Sequence, residues 1–179
     1  IGWTSNNQDG SGYGVYAQRY AASNTAIGSN FRVNTYTAND QFWPSIAGLN
    51  DGGFIIVWES DGEDYGIYAQ RYTSSGAAYG TEMHVNTYLP GYQARPSVAA
   101  LTDGGYVVTW QSNGQDGSAY GVYGQRYTSG NTGYGSEFRA NVYTSTDQMY
   151  SDVVGLSDGG YVIVWQSRYQ DGSEFGIYG

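Results

Sequence analysis

Apolar and polar residues alternate through much of this chain, the period-two pattern by which strand side chains take opposite faces. FRVNTYT sets Phe31, Val33 and Thr35 against Arg32, Asn34 and Tyr36, and MHVNTYL and FRANVYT repeat the pattern from Met83 and Phe138. Each predicts a half-exposed strand, placed at the outer edge of a sheet. A second strand type puts Val15, Ala17 and Arg19 on one face and Tyr16, Gln18 and Tyr20 on the other. That register returns at Ile67, Ala69 and Arg71, and at Val122, Gly124 and Arg126. A third type, FIIVW, YVVTW and YVIVW, is apolar on both parities, which predicts a strand covered on both sides. The fourth, SIAGL, SVAAL and DVVGL, is short and built of small residues, as close backbone approach at a crowded axis requires.

Turn signals separate these runs. Asp51-Gly52, Asp103-Gly104 and Asp158-Gly159 join the small strand to the apolar one, and Asp-Gly supplies the positive φ of a tight hairpin. Residues 21–30, 73–82 and 128–137 are rich in Ser, Gly, Ala and Asn and read as turns. The recurrent Arg19, Arg71 and Arg126 lie on a face of small apolar residues. Their guanidinium groups are expected to cross a neighbouring strand and bond carbonyls or a carboxylate.

The four strand types recur as a unit. Trp3, Trp58, Trp110 and Trp165 are 55, 52 and 55 residues apart, whereas each Arg19-type residue precedes the next Trp by 39. The length variation therefore falls between the Trp and the next Gly-Val/Ile-Tyr, which predicts an exposed loop there. Over 179 residues this period gives about three and a third units: a partial unit 1–48, units 49–100 and 101–155, and a partial unit 156–179 of one repeat array.

The expected fold class is all-β: four-stranded antiparallel blades packed face to face around an axis, a β-propeller-like array. A solenoid coils with a shorter period, and a string of sandwiches does not require residues buried on both faces. Closed propellers need about four to eight blades, so a ring would need more repeats than are present here. The chain is read as a window on a longer array, as one of several copies completing a ring, or as a β-repeat fibre joined at open edges.

Composition narrows the function classes. The formal net charge is −9, and the seven basic residues are all Arg. That leaves no basic footprint for nucleic acid. No apolar run approaches the length of a membrane span. No leader segment is evident, although the first residue falls within a repeat. The absence of Cys excludes disulfides and thiol chemistry. His84 stands where other units carry Arg32 and Arg139 and reads as a solvated surface group.

Alternate connections of an antiparallel blade lie on opposite faces. The loops after each Trp and the loops before each small strand share one face. That face gathers Asp9, Asp61, Asp64, Asp116 and Asp171 with Gln41, Gln93 and Gln148, the candidate ligand-binding residues. Asp40 and Asp147 precede two of the Gln residues. Calcium is a possible cofactor, because carboxylate and amide oxygens are hard ligands, and Asp61-Gly62-Glu63-Asp64 is the best candidate for it. The regular alternation of acidic calcium ligands is missing, however, and no other cofactor is implied. Glycans are possible partners, since Tyr and Trp beside Asp and Gln suit the mixed faces of a sugar.

The repeats, carried by DGGYVVTWQSNGQDGSAYGVYGQRY and SEFRANVYTSTDQ, resemble those of large secreted or surface proteins of bacteria, adhesin-like and RTX-associated. The resemblance covers nearly the whole chain. It implies a secreted or cell-surface location, a propeller-like scaffold and association with further repeats or copies of itself, and it carries no catalytic residues. The resulting expectation is a non-catalytic structural or adhesive repeat protein that builds a scaffold or filament. A lectin-like glycan-binding propeller is the first alternative. A propeller glycosidase is the remote one, because acids repeated by symmetry do not form the unique pair that catalysis needs.

Overall fold

In a computed structural model, which describes residues 1–62 and 65–179, the chain forms fourteen strands in four antiparallel sheets. The first sheet is β1 (Gly2–Asn6), β2 (Tyr13–Tyr20) and β3 (Ala26–Arg32). The second is β4 (Gln41–Gly48), β5 (Phe54–Ser60), β6 (Gly66–Tyr72) and β7 (Ala78–His84). The third is β8 (Gln93–Ala100), β9 (Tyr106–Asn113), β10 (Tyr120–Tyr127) and β11 (Gly133–Arg139). The fourth is β12 (Gln148–Gly155), β13 (Tyr161–Arg168) and β14 (Phe175–Tyr178). Within every sheet spatial order follows chain order, so each is a simple meander. The boundaries drawn between repeats at 48/49 and 100/101 pass through the Asp-Gly hairpins. Each repeat thus gives three strands to one sheet and the innermost strand to the next.

Three apolar cores lie between successive sheets. Val15, Ala17, Ile56, Trp58 and Tyr72 fill the first interface. Ile55, Val57, Ile67, Val98, Val108 and Trp110 fill the second, and Ala99, Leu101, Val107 and Val153 the third. β5 and β9 therefore pack on both faces: Ile55, Ile56, Val57 and Trp58 are fully buried, as are Val107, Val108 and Trp110. Burying each such side chain contributes roughly 1.5–3 kcal/mol. β13 carries the same pattern, but Val162 and Val164 are each 41% exposed, because no described residue packs on that side of the sheet.

Polar latches fix one sheet on the next. Asn34 Oδ1 accepts the Val15 amide (2.8 Å) while its Nδ2 donates to Gln41 Oε1 of the following sheet (2.9 Å). Asn86 with Gln93 and Asn141 with Gln148 repeat this pair. Glu82 accepts both the Thr35 amide and its hydroxyl, and Glu137 does the same for Thr87. On the opposite face the Arg expectation holds. Arg19 donates to the Ser74 and Ser75 carbonyls of the next sheet. Arg71 bonds the Ser129 carbonyl and Asp51 (2.7 Å), and Arg126 bonds Asp103 (2.6 Å).

The outer strands differ from expectation. β3 begins at Ala26 and ends at Arg32, so most of its length lies in a stretch read as a turn. The turn itself is tight, closed by Ala21 N–H donating to the Thr25 carbonyl. Gly28, Gly80 and Gly135 have φ of 68°, 72° and 71° inside these outer strands, where the register shifts. A glycine there marks a bulge and not the end of a strand. His84 packs flat on Tyr68, with ring centroids 4.6 Å apart.

Candidate functional site

The face anticipated for binding is formed by the loops that enter the innermost strands and those that leave the Trp-bearing strands. Backbone bonds join the two loop sets: Asp61 N–H to the Asp40 carbonyl, Asn113 to Tyr92, and Arg168 to Asp147. These are three copies of one arrangement carrying different side chains. The second sheet places two acids side by side, Asp40 and Asp61. The third places Tyr92 beside Asn113. The fourth places Asp147 beside Arg168, 3.8 Å apart as an ion pair.

A second set of copies lies one step inward. The residues after Trp58, Trp110 and Trp165 are Glu59, Gln111 and Gln166, and Thr4 follows Trp3. Glu59 Oε2 accepts the Arg95 amide of the next sheet at 3.1 Å, and Gln111 Oε1 accepts the Tyr150 amide at 3.1 Å. Glu59 is thus an acid where the two later copies hold a neutral amide and the first holds Thr4. It is 2% exposed, and its second oxygen accepts the Tyr92 hydroxyl.

Burial raises the Glu59 pKa first of all, and the charge of Asp61 adds to the rise; the Tyr92 hydroxyl, the Arg95 amide and the Arg95 charge pull it back. Asp61 is likewise raised, by burial and then by the neighbouring Asp40 charge, against a lowering contribution from Tyr92. Tyr92 itself is pushed upward by burial and by its bond to Glu59. Two acids and a phenol, Glu59, Asp61 and Tyr92, therefore meet at the junction of the second and third sheets, and both acids hold their protons more tightly than free carboxyls. Asp40 adjoins Asp61 from the side of the first sheet, where its Oδ1 accepts the Tyr13 amide. Asp61 Oδ1 is buried and has no hydrogen-bond partner among the described residues.

Beside this cluster the innermost strands bulge. Between Phe42 and Ser45 the chain advances three residues while β5 advances two, from Glu59 to Val57. The same step occurs at Ala94/Ser97 and Met149/Asp152. Trp43, Arg95 and Tyr150 occupy the bulges at φ of 51°, 55° and 55°, a left-handed conformation uncommon for such side chains. The bulges turn all three out of the sheet. The Arg95 guanidinium lies over the Trp43 ring at 3.5 Å and 5.4 Å from the centre of Tyr150.

The residues expected to bind ligand are distributed differently. Gln41, Gln93 and Gln148 are fully buried, and their amides are engaged by the Asn latch and by the carbonyls of Ala38, Pro90 and Ser145. Their recurrence is accounted for by the bonds that hold the sheets together. Asp9, Asp116 and Asp171 cap their own loops, accepting the amides of Ser11, Ser118 and Ser173. They belong to three different sheets and are not brought together. Of the predicted acids with a described position, only Asp61 joins the cluster; Asp64, with Glu63, lies outside the described residues. Among the described residues no three His, Cys, Asp or Glu side chains converge closely enough to hold a metal ion.

Glu59, Tyr92, Arg95, Trp43 and Tyr150 were missed by reasoning from the sequence. Their signal was present as departures from the repeat: Glu among Gln, Arg among aromatics, Tyr among Asp.

Among solved structures the chain is similar to an endo-arabinase from Bacteroides thetaiotaomicron, with a TM-score of 0.52 and 16% identity, covering 92% of this chain and 65% of that one. It is also similar to a thermostable family-43 glycoside hydrolase, with a TM-score of 0.51 and 11% identity, covering 92% and 66%. A third is the Hadza microbial sialidase Hz136, with a TM-score of 0.51 and 11% identity, covering 93% and 43%. The fold is that of a β-propeller. No protein-family model and no curated protein matches the sequence. The chain spans less than two thirds of the length of each of the three enzymes.

These neighbours overturn the expectation of a non-catalytic structural or adhesive array, since each is an enzyme named for carbohydrate chemistry. The physical premise behind that expectation also fails. The repeats share a framework, yet the acids do not all recur by symmetry, because Glu59 and the Asp40–Asp61 pair each occur in one copy.

Proposed function

We propose that this protein is a carbohydrate-active β-propeller of the glycoside hydrolase type, with its acid centre at Glu59, Asp61 and Asp40. The single observation that carries the proposal is the replacement, at one junction only, of a buried Gln by a buried Glu with a raised pKa, beside a second carboxyl. Glycoside hydrolysis uses a pair of carboxyl groups in unlike environments, one protonated to donate to the leaving oxygen and one charged to serve as base or nucleophile. Glu59 has the environment of the proton donor. Its proton passes to the glycosidic oxygen as the bond between that oxygen and the anomeric carbon breaks, while water supplies both the oxygen that bonds to the anomeric carbon and the proton that restores the carboxyl pair. Asp40, whose Oδ1 accepts the Tyr13 amide at 2.8 Å and which lies next to Asp61, is the second carboxyl, given the role of base or nucleophile. Tyr92 orients Glu59 through its hydroxyl.

Polysaccharide substrates lie outside the cell. The resemblance of the repeats to those of bacterial surface proteins supports the same placement for this chain.

The test is release of reducing ends from a panel of arabinan, xylan, pectic and sialylated substrates. Glu59→Gln is expected to lower the rate by about 10²–10⁴-fold, the range of a lost general acid, while the fold is kept, because Gln occupies the equivalent position in two other copies. Activity surviving that change, or absent on every substrate, overturns the assignment.

A further inference from the structure

The bulge residues beside the acid centre form a small cleft lined by Trp43, Pro44, Arg95, Pro96, Tyr150 and Ser151, with a volume of about 260 Å³. It is slightly smaller than the pockets of about 300 Å³ and more that enclose drug-sized ligands, a size suited to one sugar ring. Trp43 and Tyr150 are 49% and 52% exposed, so two large rings stand in solvent at the rim. Arg95 lies between them. Among the described residues its guanidinium makes no hydrogen bond or ion pair, like Arg32 and Arg139 and unlike Arg71, Arg126 and Arg168, which each have a carboxylate partner. Of the three with neither, Arg95 is the one held over an aromatic ring.

A guanidinium held over an indole is restricted in orientation, and N–H groups at its edge can still donate. That edge matches a carboxylate by two parallel hydrogen bonds. The left-handed backbone at all three bulges holds the side chains away from the sheet. An unpaired cation is also notable in a chain of net charge −9. It is the local feature that favours an anion on an otherwise acidic face.

We infer that the Trp43–Arg95–Tyr150 cleft is a subsite for a carboxylate-bearing sugar of the glycan: Arg95 pairs with the carboxylate and the aromatic rings flank the pyranose. The inference rests on the carbohydrate reading above and names the substrate class. A hexuronate and a sialate share this chemistry, so both are probed.

Binding is measured by calorimetry on the Glu59→Gln protein, which removes the proposed proton donor and leaves the cleft in place. Trigalacturonate is compared with its methyl ester, and sialyllactose with lactose. At least one free acid is expected to bind tenfold or more tightly than its neutral counterpart, with affinity falling as salt rises. Adding Arg95→Gln is expected to abolish that preference and leave the neutral sugar unchanged. The ligand-side comparison needs no second substitution, so it stands even if the Arg95 variant fails to fold. Equal binding of acid and neutral forms in both pairs overturns the subsite. Selective binding without hydrolysis by the unaltered protein supports the subsite and defeats the catalytic assignment. Hydrolysis of neutral glycan with no acid preference does the reverse.

Discussion

The junction between the second and third sheets and the junction between the third and fourth share one backbone plan and differ in chemistry. In both, the residue after the buried Trp accepts the amide of a bulge residue at 3.1 Å. In the first the acceptor is Glu59, backed by Tyr92 and facing Asp61. In the second it is Gln111, and the positions equivalent to Tyr92 and Arg95 hold Asp147 and Tyr150. A Gln there satisfies the amide and holds no charge. A Glu there does the same work and must also be kept out of water, and Tyr92 offsets part of the cost. The hydrogen bond explains the position, whereas the charge is surplus to the structure. Surplus of that kind is where function is to be sought.

The largest effect is expected from carrying the acid to the quiet junction. Gln111→Glu places a carboxyl beside Asp147 with no phenol to donate to it. The loss is about 1–3 kcal/mol, the range for a buried polar group left without a partner, and it deepens as pH rises and the carboxyl tends to ionise. Urea denaturation at two pH values reads it directly. A neutral result would mean that the two junctions are equally wet and that Glu59 is not special.

The reciprocal change is smaller and opposite in sign. The folded chain holds the Glu59 proton above its unfolded pKa. In the window between the two pKa values the folded state binds more protons, so stability falls as pH rises through it. Glu59→Gln lacks that proton. Its stability is expected to exceed that of the unaltered protein at neutral pH, by about 0.5–2 kcal/mol as for other relieved functional sites. The advantage should vanish below the unfolded pKa of about 4.3. A variant less stable at neutral pH would show that the carboxylate is structural.

Tyr92→Phe sharpens the comparison further, with the smallest expected effect. It removes a donor that favours charged Glu59, so the Glu59 pKa moves higher still. If Glu59 is the proton donor, the alkaline limb of the pH–rate profile moves upward with it. An unmoved limb would separate Tyr92 from the titration.

Much of the scaffold was legible in the sequence. Apolar residues on both parities in FIIVW and YVVTW announced strands packed on two faces, and β5 and β9 are so packed. Asp-Gly pairs placed the inner hairpins, and the recurrent Arg residues found carbonyl and carboxylate partners. The outer strands were less legible, because Gly28, Gly80 and Gly135 look like turn residues and are bulges inside strands. The site was hardly legible, because repetition was read as the signal. Gln41, Gln93 and Gln148 recur because each copy needs the same internal bond. Glu59, Tyr92 and Arg95 disagree with their counterparts because a site needs difference. One boundary condition also went unread: β13 is uncovered on one side, since its pattern is apolar like that of β5 but no described sheet follows it.

The bulged residue at the start of each innermost strand has a last consequence. Its backbone is set by strand pairing on either side, and its side chain leaves the sheet altogether, so Trp43, Arg95 and Tyr150 exchange chemistry without disturbing their neighbours. Three of the four described sheets thereby offer a socket whose plug is replaceable, and the face of the molecule can be rewritten letter by letter over an unchanged frame.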